Sequence, residues 1–196
     1  MALDPCRDLS PAAWITSAGI PWHQLVTFGP QAFESYARLR FLPDPDAPGQ
    51  EAADALVDPD GPGEGDLLGR ALTVLGDHTH TPDDVYFCVW DGWGRPPALE
   101  GIPVVAVPHR RYLMFRGTLT DYADWVSPGT AGLAAEGLPP PALIWPADRA
   151  WCVARDVDPH YAGIGAARRA VARLVAHPVL DVVPADPTRQ QPTYGP

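Results

Sequence analysis

His78-Thr-His80, followed by Asp83 and Asp84, is the sharpest candidate for metal chemistry in this chain. Two imidazoles one residue apart on an extended segment project to the same side, as a pair of ligands must. The spacing departs from the His-x-His-x-Asp-His string of metallo-hydrolases, which needs an acid at 82 and a histidine at 83, where this chain has Pro82 and Asp83. A polar turn whose side chains cap their own backbone accounts for the same residues. His78 and His80 therefore stand as candidate metal ligands beside that structural reading.

Cys88 and Cys152 sit within apolar runs, where a thiol behaves as a small hydrophobe. Nucleophilic catalysis would need a base at hand, and nothing in the spacing places His109 or His160 beside either sulfur. Asp156-Val-Asp-Pro-His160 leads into Tyr161-Ala-Gly-Ile-Gly165, which superficially resembles a dinucleotide loop. The Gly-x-Gly-x-x-Gly pattern fails because Arg168 stands where the third glycine belongs. Gly163 and Gly165 then read as the hinge of a tight strand-to-helix turn. Asp91, Trp93, Arg149, Asp156 and His160 fall at predicted strand ends, where polar groups beside aromatics rim a pocket as readily as they build a turn. Together with Trp90, Trp145 and Trp151 they would make an aromatic surface with polar anchors.

Those positions depend on two aromatic runs, Val85–Gly94 and Ala142–Val157, both read as strands. The second has hairpin spacing, with a four-residue connection between apolar halves. Further strands are expected between Ile102 and Val107 and between Arg111 and Arg116, with Pro108 and His109 at a bend. The segment Trp14 to Phe28 reads as irregular or a short strand. Pro30 suits the first turn of a helix carrying Ala32, Phe33, Tyr36 and Leu39. Leu67, Leu68, Ala71, Leu72 and Leu75 mark a second helix, and Gly163 to His177 a third. Thr120 to Trp125 reads as a capped helical turn. Gly129 to Pro141 reads as a loop. Helices first, then strands, then a final helix predict an α+β fold. The expected core is an antiparallel β-sheet of about five to six strands with helices packed mainly on one face.

The 196 residues suit one domain over 1–184 and a polar, Pro-rich mobile tail over 185–196. Residues 43–65 form an acidic Pro/Gly-rich loop or arm. All 14 basic residues are arginine, so every fixed cation is a planar fork. A net charge of −10 argues against nucleic acid and anionic membrane, which require a basic face. No stretch approaches a membrane span, and three cysteines without a paired framework point to a reduced, cytoplasmic setting.

The strings Thr81–Gly94, Arg111–Gly117 and Pro141–Asp156 resemble a family of uncharacterised actinobacterial proteins, over about the second half of the chain. The layout is also loosely similar to the SUKH-type superfamily, whose small α+β members include immunity proteins that neutralise toxins. The chain departs from the first pattern at Asp158-Pro-His-Tyr-Ala-Gly163. The SUKH-type resemblance implies a protein partner, and no motif in the residues calls for a cofactor. Two function classes follow. One is a cytosolic protein-interaction module, immunity- or toxin-associated, that meets a partner with a basic surface. The other is a small-molecule binder or hydrolase with its site at the strand ends, metal-dependent through His78 and His80. Oligomeric state is not legible.

Overall fold

The computed structural model describes residues 3–56, 58, 61–126 and 138–195, leaving aside the side chains of Trp93, Asp124 and Val126. Most of the loop expected over Gly129–Pro141 lies outside the described residues. Among these residues nine strands pair into one open antiparallel sheet: β1 (Asp4–Pro5), β2 (Ser35–Arg40), β3 (Val85–Trp90), β4 (Val104–Val107), β5 (Arg110–Gly117), β6 (Leu143–Pro146), β7 (Trp151–Ala154), β8 (Tyr161–Ala166) and β9 (Val182–Ala185). Their order is β1-β5-β3-β6-β7-β8-β2-β9, and β4 lies against the same strand as β1. The outer side of β5 is divided, with Phe115 and Arg116 facing β1 and Arg110 to Leu113 facing β4. The fold is α+β, as expected, but the sheet is wider than five to six strands.

Strict alternation sends each central strand to two cores. Val85, Phe87 and Val89 enter one cluster with Leu113, Phe115, Ile144, Trp151 and Val153. Tyr86 and Cys88 enter the other with Tyr112, Met114, Leu143, Trp145 and Cys152. The first cluster is closed by helices α3 (Glu64–Gly76), α4 (Ala123–Val126) and α5 (Arg168–Val175). In α3, Leu68, Ala71, Leu72 and Leu75 are buried at helical spacing, so the predicted stripe is the one used. The second cluster is closed by α1 (Ala13–Thr16) and α2 (Trp22–Phe28) through Ile15, Leu25 and Val26. The longer helices thus share one face, while residues 13–28, expected to be irregular or a short strand, coil into two short helices that cover the other.

Two other elements differ from the reading above. The stretch from Pro30 contributes β2 instead of a helix, with Ala37 and Leu39 facing one core and Tyr36 and Arg38 turned to the other side. Spacings of three and four fit a helix, but the alternation over 35–40 fits a strand equally well, and pairing to both β8 and β9 decides it. Gly163 and Gly165 lie inside β8, not at a turn. A Cβ on Gly163 would stand 2.0 Å from the Thr27 carbonyl oxygen, and one on Gly165 would stand 2.4 Å from Phe33. The missing side chains are what let α2 and the chain after it lie on the strand.

Candidate functional site

Antiparallel pairing distributes the predicted site residues between two opposite ends of the sheet. The end of β3, the start of β5, the end of β7, the start of β8 and the end of β2 lie together. This end holds Asp91, Asp156 and His160. The other end, where β6 turns into β7, holds Arg149 and the His78–His80 turn. The five proposed binding residues thus do not converge on one site.

At the first end Asp91 and Asp156 are each held by arginine, while Asp158 is exposed, 4.0 Å from Arg110. Asp91, with a side chain only 5% exposed, accepts from Arg95 Nε at 3.2 Å and Nη2 at 2.9 Å, and from Arg111 Nη2 at 3.1 Å. Asp156 accepts two bonds of 2.9 Å from Arg110. The Arg110 guanidinium lies over both Trp90 and Trp22, 5.4 and 5.7 Å from the ring centroids. Arg110 follows His109, which turns the β4–β5 hairpin at φ 63°. Trp93 belongs to a short 3₁₀ turn, Asp91–Trp93, and its side chain lies outside the described residues.

His160 belongs to a third set. Its Nε2 lies 3.1 Å from Asp44 Oδ1, and Asp44 also accepts from Arg38 at 2.6 and 2.9 Å and from Arg40 at 3.0 Å. Arg38 is buried over the Tyr161 ring, 5.0 Å from its centroid. The hydrogen bonds from Arg38 hold the Asp44 carboxyl well below the usual carboxylate range, burial opposes them, and His160 and Arg40 add to the lowering. Desolvation pushes the Tyr161 hydroxyl up to about 12, so it is a neutral donor near pH 7. Arg40 reaches Asp181 as well, at 2.8 Å. Tyr194 closes the set from the C-terminal segment, with its ring 5.0 Å from that of His160 and its hydroxyl donating to the Pro43 carbonyl at 2.7 Å.

At the second end the His78–His80 turn works through its backbone and through Thr79. Asp148 accepts from the Thr79 hydroxyl at 2.8 Å, the His80 N–H at 2.7 Å and the Ala150 N–H at 3.1 Å. Partial burial raises the Asp148 carboxyl, but these bonds outweigh it and the group ends below its ordinary value. The His78 Nδ1 is buried without a partner. Among the described residues no group of three or more His, Cys, Asp or Glu side chains is placed to hold a metal. Arg149 lies over the Trp14 ring, 5.5 Å from its centroid, at φ 55° in the β6–β7 turn.

Trp145 and Trp151 are fully buried and enter opposite cores, so they form no surface with Trp90. Cys88 and Cys152 are buried, and desolvation raises both thiols above the ordinary value, which keeps them protonated and unreactive. Sequence reasoning missed Arg38, Asp44, Arg110 and Trp22. For Arg38 a signal existed, since a period-two reading of 35–40 puts an arginine on a covered strand face and calls for a carboxylate partner.

Fold and site together define an antiparallel α+β protein whose one sheet end carries a band of arginine–carboxylate sets. No family model, curated protein or solved structure matches the chain.

Proposed function

We propose that the protein is an interaction module that binds a basic protein partner through the acidic segment 43–65. One observation carries this reading. The segment has seven carboxylates and no basic residue. Asp44 turns inward to hold the segment's start against the sheet, while Asp46, Glu51 and Asp54 face solvent and Leu56 is 95% exposed. An apolar side chain presented among acids suits a partner with a basic rim around an apolar seat. The similarity of the layout to SUKH-type immunity proteins supports a toxin as that partner and the cytoplasm as the place of meeting.

The test is co-expression with toxin-like proteins encoded beside this gene, followed by size exclusion of the pair. The expected result is rescue of growth and a complex that weakens between about 0.1 and 1 M salt, as the screening length falls from about 10 to 3 Å. The combined change Asp46→Asn, Glu51→Gln, Asp54→Asn and Leu56→Ala abolishes both. Rescue and binding that survive this change would overturn the assignment of the segment. Absence of any complex would overturn the reading itself.

A further inference from the structure

An open depression of about 580 Å³ lies between α5, the start of β2 and the end of β9. Ala172 and Val175 of α5 line it on one side, and Phe33, Pro184 and Pro187 line it on the other. This apolar surface is open to solvent. Ala172 and Pro184 are exposed, Val175 keeps 40% of its surface, and Val179 just beyond the helix keeps 49%.

The helix beside it is basic in a molecule of net charge −10. α5 carries Arg168, Arg169 and Arg173 and no acid, and all three arginines are exposed. Arg169 and Arg173 stand one turn apart on the same face. Among the described residues no carboxylate pairs with any of these three guanidinium groups, whereas Arg38, Arg110 and Arg116 are each forked onto an aspartate. Two acids line the depression. Glu34 accepts the backbone N–H of Arg168 at 3.2 Å, and Asp186 is answered by Arg189 and by the Thr188 N–H and hydroxyl at 2.9 and 2.7 Å. The unanswered charge at this surface is therefore the positive charge of α5. An apolar seat beside a basic helix face is the complement of residues 46–56, where Leu56 stands 95% exposed in company with Asp46, Glu51 and Asp54.

We propose that a second copy of this chain docks its residues 46–56 on α5, with Leu56 entering the depression against Ala172 and Val175 while Glu51 and Asp54 meet Arg169 and Arg173. The contact joins two different surfaces of the protein, so it is heterologous. It withholds the acidic segment until a tighter partner displaces the second copy. Docking of this kind rests on the acidic segment being a binding element, as proposed above, and names what occupies it when no foreign partner is present.

The experiment is sedimentation velocity of the purified full-length chain alone, over about 5 to 500 μM. The expected result is reversible association with a Kd on the order of 0.1 mM, the scale of a small transient interface, weakening about tenfold between about 0.1 and 0.5 M salt. Arg169→Gln with Arg173→Gln keeps the chain monomeric, and so does the combined change Asp46→Asn, Glu51→Gln, Asp54→Asn and Leu56→Ala. All these positions are exposed, so both variants keep the circular dichroism of the wild type. Mixing the two monomeric variants restores association, because one brings an intact α5 and the other an intact acidic segment. The α5 variant still enters the complex with the basic partner, so the two kinds of binding are read apart. A wild type that stays monomeric throughout, association that survives the α5 changes, or a mixture that stays monomeric would each overturn the docking of a second copy and leave the foreign partner untouched.

Discussion

Arg110 grips Asp156 through two parallel hydrogen bonds of 2.9 Å, from its Nε and its Nη2, across 46 positions of the chain. Both side chains are nearly buried, at 14% and 10% exposure, and two indole rings flank the guanidinium. The planar fork is what the site uses. Arg110→Lys keeps the charge and loses one bond and the flat stacking, so it lowers stability by about 1–3 kcal/mol in urea unfolding. Asp156→Ala leaves the cation only the exposed Asp158 at 4.0 Å and costs about 2–4 kcal/mol. Replacing both by Met costs less than Asp156→Ala alone, because no charge is left without a partner.

Asp44 makes stability depend on acid. Its folded pKa lies below that of the unfolded chain, so the stabilisation is complete above about pH 4–5 and is lost as pH falls through the folded value. The melting temperature of the wild type therefore drops as the solution is taken from pH 5 towards about pH 2. Asp44→Asn is less stable at pH 7, by about 1–3 kcal/mol, and shows a shallower drop over the same window. An unchanged slope in the variant would show that other carboxylates dominate.

Glycine has opposite meanings at two places. Gly163→Ala forces a methyl group against the Thr27 carbonyl and lifts α2 from β8, at a cost of about 1–3 kcal/mol or more. Gly69 lies within α3, and a methyl group there meets Tyr122 at an ordinary 3.6 Å. Gly69→Ala therefore stabilises by about 0.5–1 kcal/mol through the unfolded chain. Denaturant midpoints of the two variants should fall on either side of the wild type.

Asp148 ties the His78–His80 turn to the β6–β7 connection. Asp148→Ala removes three accepted bonds and costs about 1–3 kcal/mol. The sharper readout is hydrogen exchange at the His80 amide, which is slow in the wild type and fast in the variant. His80→Ala leaves that amide protected, since only the backbone of residue 80 meets Asp148.

The apolar strands were legible because their evidence is local. Val85 to Trp90 and Leu143 to Ala154 alternate or run apolar between turn residues, and the pairing of β6 with β7 follows from chain order, whereas β3 meets β6 across two intervening strands. Residues 30–40 were not, because Tyr36 and Leu39 satisfy a helical spacing while Ala37 and Leu39 satisfy a strand. Only contact with β8 and β9 separates the two. The site was legible as a set of residue types at strand ends but not as pairs. Asp156 finds Arg110, and Arg40 finds Asp181, through sheet order that no short window of sequence contains. The glycines of β8 misled for the same reason, since their purpose lies in a helix more than a hundred residues earlier.

The way β5 shares its outer side has a bearing on how any partner attaches. One margin of the sheet offers two short strands, β1 of two residues and β4 of four, and the other offers β9 with Pro184 in its midst, which has no N–H to give. Among the described residues, then, no long run of unpaired backbone stands ready to template a foreign strand. Recognition by β-augmentation is disfavoured at both margins, as is runaway self-assembly into a continuous ribbon.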